Sequence, residues 1–284
     1  MYKPESGRVF RPLDLKKDPE DLRDYLYTSV IKDHITMRRL SESLPSEVDH
    51  TAEMSPIKNQ KYLGACVGFA VAALKEWQEQ KEHKLEVEAG KKYHRDEKYY
   101  DLSEAWVYWM AKKIDAWPGQ EGTSIKYAMK VLNKIGVPTE KAWPYDNKVY
   151  GEPKSWAHLV ARWSLIKTYY RIKNLTELKA ALVNGPVPIG IGCYEEIDEV
   201  GSDGIVPYPK NPNICYGGHA ICTTGFSDNK GLVKFKNSWG NWGEKGYGYL
   251  SYKYIQDFMW DAWVAKDMSV TKEMLKGTRS LLEK

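Results

Sequence analysis

The chain has 284 residues, 42% of them apolar, enough to bury one large two-lobed core or two ordinary ones. Its 42 basic and 38 acidic residues, net charge +4, form no basic stripe, so nucleic acid is not an expected partner. No apolar run is long enough to span a membrane, and no signal or lipidation motif opens the chain. The expectation is a cytoplasmic protein without a membrane partner, or one whose signal has been removed. Four cysteines, Cys66, Cys193, Cys215 and Cys222, are too few and too unevenly placed for a disulfide framework or a zinc site. Eleven Trp and twenty Tyr suit aromatic packing between lobes or along a peptide groove, with core packing accounting for most of them.

Residues 1–43 are polar, broken by Pro4, Pro12 and Pro19, with a short helical piece expected around Leu22 to Leu40, and read as an N-terminal extension. From Leu44 the text is extended until Cys66 opens a helical face of Val67, Ala70, Val71, Leu74 and Trp77, expected to run to about Glu82. Helices follow near Ser103 to Lys113, with Ser103 as N-cap, near Thr123 to Ile135, stopped by Gly136 and Pro138, and over Leu175 to Val183. From "GPVPIGIGCY" the pattern changes to short, glycine-bounded, β-rich segments: "GGHAICTTGF", "GLVKFKNSWG" and "GYGYLSYKYI". The spacing predicts a mainly helical half followed by a sheet or barrel, and then a C-terminal tail, 269–284, able to form a short amphipathic helix.

A cysteine at a helix N-terminus meets unpaired N–H groups and a partial positive charge, which favour its thiolate. Cys66 is so placed, although a buried structural cysteine is the commoner use of the residue. A thiolate nucleophile needs an imidazole, and the imidazole needs a group that orients it. His34, His50, His83, His94 and His158 lie in polar text, whereas His219 opens an apparent buried strand, where an unpaired ring is costly. Asn237 follows the next β-pattern and can reach that ring, and Trp239 can shield the bond from water. Acyl transfer also needs oxyanion donors: the Cys66 N–H is one, and the amide of Gln60, six residues upstream, is the candidate second.

These residues together resemble the papain-like cysteine peptidases, of the prokaryotic and viral kind. "PIKNQKYLGACVGFA" is similar to the family's nucleophile segment, "GGHAICTTGF" to its histidine strand, and "KNSWGNWGEKGYGYL" to its asparagine segment, in the order Cys, His, Asn. The resemblance implies an α+β, two-lobe fold. A helical lobe, about 44–150, carries Cys66; an antiparallel barrel-like lobe, about 151–268, carries His219 and Asn237; a peptide or protein substrate lies in the cleft between them. It implies Cys66 as nucleophile, His219 as general acid and base, Asn237 as its orienting group and Gln60 as oxyanion donor, with no metal or organic cofactor required. "PGQEGTSIKYAMKVL" resembles the segment that follows the family's Gly-Gly substrate-binding strand, making Gly122, with Glu121 at the same rim, and Gly218 and Trp239 beside the catalytic residues, the candidate substrate contacts.

The sequence also departs from the family. Leu63 stands where a disulfide cysteine is common and Val67 where tryptophan is usual, which fits a reducing compartment. Cys193 and Cys215 are left either as a pair or as free thiols, and Cys222 reads as core. The family's long helical prosegment is absent; residues 1–43 either occlude the cleft as a short inhibitory prosegment or wrap the second lobe permanently. Two rivals to a cysteine endopeptidase remain open: a silent papain-fold peptide-binding protein, and a transacylase or peptide ligase using the same thioester.

Overall fold

The structure, a computed structural model, describes residues 12–29, 44–88, 100–145 and 151–267. Six α-helices are described: α1 (Cys66–Glu88), α2 (Glu104–Ile114), α3 (Ile125–Lys134), α4 (Ser155–Ala161), α5 (Leu175–Leu182) and α6 (Tyr252–Phe258). Seven strands accompany them: β1 (Glu47–Asp49), β2 (Ile166–Arg171), β3 (Val187–Cys193), β4 (Gly217–Ser227), β5 (Leu232–Lys236), β6 (Tyr247–Ser251) and β7 (Met259–Asp267). All their pairings are antiparallel, in the order β2-β7-β3-β4-β5-β6, with β1 added on β4.

Helix α1 is the pivot. Every residue from Gly64 to Trp77 is buried, including Lys75 and Glu76, because the helix packs on α2 on one side and on β4 on the other. It runs to Glu88, six residues beyond the expected end, since nothing between His83 and Glu88 breaks a helix. Ser103 caps α2 as expected, its hydroxyl accepting from the Trp106 N–H at 3.0 Å. Gly136, at φ +81°, stops α3 in a conformation that a side chain disfavours, with the Ala161 carbonyl packed where a β-carbon would sit.

One hydrophobic core joins α1, α2 and α3 to Ala157 and Ala161 of α4 and to Trp263 and Ala265 of β7; a second lies under β3, β4, β5, α5 and α6. Two helices are not evident in the sequence. Helix α4 is short and shows its periodicity only through Ala157 and Ala161. Helix α6 corrects the β reading of "GYGYLSYKYI": the strand ends at Ser251, whose hydroxyl accepts from the Tyr254 N–H at 3.1 Å and starts the helix. Between Leu22 and Ser29 the chain forms turns and a 3-10 turn at Tyr27–Ser29; residues 30–40 of the expected helical piece, and the tail 269–284, lie outside the described residues. None of the four cysteines forms a disulfide; Cys215 is exposed and the other three are buried.

Candidate active site

Cys66 is the first residue of α1, so its own N–H and that of Val67 point at its sulfur, and the Ala220 N–H, next to His219, donates to the same sulfur. The α1–β4 contact thus sets the cysteine against the histidine strand. The helix terminus favours a depressed thiol pKa, and burial outweighs it. Burial pushes Cys66 up to about 12, the Asp14 carboxylate adds to the rise, and the three N–H groups only partly offset it.

His219 is buried on β4, and its Nε2 donates to Asn237 Oδ1 at 2.8 Å, the sense that an amide carbonyl requires. Asn237 Oδ1 also accepts from the Ser238 N–H at 2.8 Å, which fixes the amide. The Trp239 ring stacks on His219 with centroids 4.2 Å apart and planes at 21°, covering the His–Asn bond. Gln60, entirely buried, belongs to the same unit. Its Oε1 accepts from the Ser238 hydroxyl at 2.5 Å, its N–H donates to the Ser238 carbonyl at 2.8 Å, and its Nε2 donates to Leu63 O at 2.8 Å. The glutamine is therefore immobilised between the asparagine turn and the loop entering α1, with a second amide N–H still to donate.

Behind this group lies a charged cluster that reading the sequence missed. Lys58 Nζ meets Glu76 at 2.8 Å, Asp101 at 2.6 Å and also Glu104, while Lys236, the residue before Asn237, donates to Ser55 at 2.8 Å, and Ser55 in turn donates to Glu76. Burial lowers the Lys236 pKa and, despite Lys58, pushes Glu104 up to about 8. A cavity of about 10 Å³, room for one water, opens among Lys58, Glu76, Lys236 and Asn237. The available signal was Lys75-Glu76 inside the apolar first half of α1. Among the described residues no group of His, Cys, Asp or Glu is placed to hold a metal ion.

The N-terminal extension crosses this site. The Leu15 N–H donates to Gly218 O and the Lys16 N–H to Thr123 O, both at 3.0 Å, so consecutive residues bond first to the sheet and then to the segment entering α3. Gly122 has φ +76°, and a β-carbon there would lie 1.6 Å from Asp14 O. A β-carbon on Gly64, two residues before Cys66, would lie 2.8 Å from both Asp14 Cβ and Oδ2. Asp14 therefore sits between Gly64 and Gly122, and Leu15 packs against Gly190, Ile125 and Gly218, beside Trp260. Beyond, Asp18 accepts from the Lys126 N–H at 3.1 Å and Trp263 Nε1 at 2.6 Å, and its own N–H donates to Asp261 at 2.8 Å. Arg171 closes the network, 2.7 Å from Asp261 and 3.2 Å from Asp24, and its N–H donates to Tyr25 O at 2.7 Å. The extension thus both crosses the cleft and lies along the second lobe.

Comparison with known proteins agrees with this geometry. Residues 44–260 match the model of the papain family of cysteine proteases. A peptidase C1-like protein of Acanthamoeba polyphaga mimivirus is 26% identical over 93% of this chain and 90% of its own. The viral cathepsin of Antheraea pernyi nuclear polyhedrosis virus is 27% identical over 75% of this chain, which spans only 61% of that longer protein. Among solved structures, xylellain, a cysteine protease from Xylella fastidiosa, superposes with a TM-score of 0.76 at 24% identity, covering 94% of this chain and all of its own. Digestive procathepsin L 3 of Tenebrio molitor superposes at 0.60 with 22% identity, covering 78% of this chain and 70% of its own. With a family match over most of its length and the two-lobe α+β fold around Cys66, His219 and Asn237, the chain belongs to the papain family of cysteine proteases.

Proposed function

We propose that this protein is a cysteine endopeptidase held latent by its own N-terminal extension. His219 Nε2 donates to Asn237, so Nδ1 is the ring nitrogen that takes the Cys66 proton. The resulting thiolate attacks a peptide carbonyl, and the oxyanion is received by the Cys66 N–H and the Gln60 amide. His219 then protonates the leaving amine, a thioester remains on Cys66, and water hydrolyses it with His219 as base. The chemistry rests on residues of the chain alone.

The observation that carries the reading is the continuous hydrogen-bonded unit His219–Asn237–Ser238–Gln60, built under Trp239 beside the first turn of α1. A binding protein has no use for its arrangement. Latency rests on Asp14 and Leu15 filling the cleft, and proforms stand among the structural neighbours, including a stem bromelain precursor and the proform of a ragweed pollen protease. The test treats the full chain, and a chain beginning at Leu44, with a thiol-directed epoxide and maps the labelled residue. Selective modification of Cys66, faster in the shorter chain and lost in His219→Ala, is expected. Equal, slow labelling of folded protein in both forms would remove the mechanism. Product masses in the presence of an added amine separate hydrolysis from ligation.

A further inference from the structure

Helix α4 carries its large apolar residues on the side away from the core. Ala157 and Ala161 are buried in the core that also holds Trp106 and Val131, and the helix runs on into a 3-10 turn, Arg162–Ser164, whose Ser164 is buried as well. Trp156, Leu159 and Trp163, three and then four residues apart, form a stripe on the other face. Leu159 is 62% exposed and each of the two tryptophans 47%. Alanine is enough to pack the inner face, so formation of the core gives no reason for two indoles and a leucine outside it.

The stripe has a basic surround. Lys154, Arg162 and Lys167 are exposed beside it, and none of them forms an ion pair among the described residues. The one carboxylate between Gly151 and Lys173 is that of Glu152, and Lys113 of α2 neutralises it at 2.8 Å. Exposed indole and uncompensated positive charge therefore share one face of the protein.

The structure assigns this face as a docking surface for an anionic lipid bilayer, with Trp156, Leu159 and Trp163 entering the headgroup layer and Lys154, Arg162 and Lys167 meeting lipid phosphates. Charge separates this occupant from two others. The tail 269–284 carries four basic and two acidic residues, and a second copy would bring the same basic rim, so both are repelled by the face. Size separates it from an acidic protein. A specific protein interface takes about 20–30 residues a side, whereas shallow insertion needs only the few side chains that reach the interfacial layer, where indole is favoured. Among the described residues no helix is long and apolar enough to cross a membrane. The expectation of no membrane partner rests on absent spans and anchors, and lying on a bilayer requires neither. The patch shares no residue with the cleft, so it does not depend on the peptidase chemistry.

The test is flotation of the full-length protein with vesicles of phosphatidylcholine, either alone or containing about 30% phosphatidylserine. Binding to the anionic vesicles is expected to be at least about ten-fold tighter than to the neutral ones, and to fall with added salt. Arg162→Gln and Lys167→Gln should each weaken it about five-fold, the effect of one surface charge. The double change Leu159→Ser with Trp163→Ser should abolish it. Melting curves establish that each variant is folded, since every altered side chain is exposed. The double change Trp156→Phe with Trp163→Phe keeps an apolar face, so binding should persist while quenching of the protein's fluorescence by brominated acyl chains is lost. That readout reports indole within lipid, which charge attraction alone does not produce.

No binding, equal binding to both vesicles, binding that survives Leu159→Ser with Trp163→Ser, or quenching that survives loss of both indoles overturns the assignment. Capture by soluble polyglutamate without binding to either vesicle also overturns it, and makes the face a site for an acidic protein. A concentration-dependent dimer lost in the same variants overturns it in favour of a second copy.

Discussion

Trp263 on β7 donates its indole N–H to Asp18 of the N-terminal extension at 2.6 Å, inside the protein, and the same carboxylate accepts from the Lys126 N–H of α3 at 3.1 Å. One side chain of the extension therefore bonds to both lobes. Asp18→Ala leaves two buried donors unpaired, at about 1–3 kcal/mol each when unsatisfied. The expected outcome is at least ten-fold faster alkylation of Cys66, with the melting temperature of the peptidase lobes little changed. Unchanged alkylation would show that Asp18 does not hold the extension in the cleft.

The extension should bind more tightly in acid than in base. Burial raises the Asp18 pKa; burial and the Asp18 charge raise Asp261; burial and Glu121 raise Asp14. A raised carboxyl pKa means that the docked state holds protons that the released state gives up. Docking is thus strongest below the ordinary carboxylate range, about pH 4, and weakens as pH rises through the raised values. Amide exchange of 12–18, corrected for its intrinsic pH dependence, is expected to gain protection on acidification and lose it towards neutral and alkaline pH. Release by acid would contradict it.

Gln60→Ala removes the side-chain donor assigned to the oxyanion. In the Asp18→Ala background we expect kcat to fall by about 10²-fold or more with KM nearly unchanged, since the interaction belongs to the transition state. A change confined to KM would mean that Gln60 serves the substrate or the fold instead.

Gly136→Ala tests the helical lobe apart from the site. At φ +81°, with the Ala161 carbonyl 1.9 Å from where the new β-carbon would lie, the substitution combines strain with a backbone clash. A loss of about 1–3 kcal/mol and a lower melting temperature are expected, with the selective alkylation of Cys66 in the folded protein unchanged.

Much of this architecture could be read in the chain because its causes are local. The Ser103 cap, the Gly136 stop and the change from helical to β periodicity after Pro186 each depend on neighbours a few residues away. Cys66, His219, Asn237 and Gln60 stand out in the sequence for a different reason, since each lies in a short segment of distinctive chemistry, and the structure joins His219, Asn237 and Gln60 through Ser238 in one hydrogen-bonded unit. Helix α6 was hidden because Tyr252, Tyr254 and Ile255 read equally well as strand until the Ser251 hydroxyl chooses the helix. The Lys58 cluster and the course of the extension depend on partners far away in sequence: Glu76 and Glu104 for one, Gly64, Thr123 and Gly218 for the other. No window along the chain shows those meetings. The thiol pKa was misjudged similarly, since the helix terminus is visible in sequence and the burial that outweighs it is not.

Because the extension is joined covalently to the lobes that it bridges, it acts on the cleft at an effective concentration on the order of millimolar, whatever the dilution of the protein. A free peptide competes with a neighbour that cannot diffuse away. A single backbone cut between residues 29 and 44 would abolish that advantage without altering one contact at Asp14, Leu15 or Asp18. The same segment would then be an ordinary bimolecular ligand, bound in a concentrated sample and lost in a dilute one.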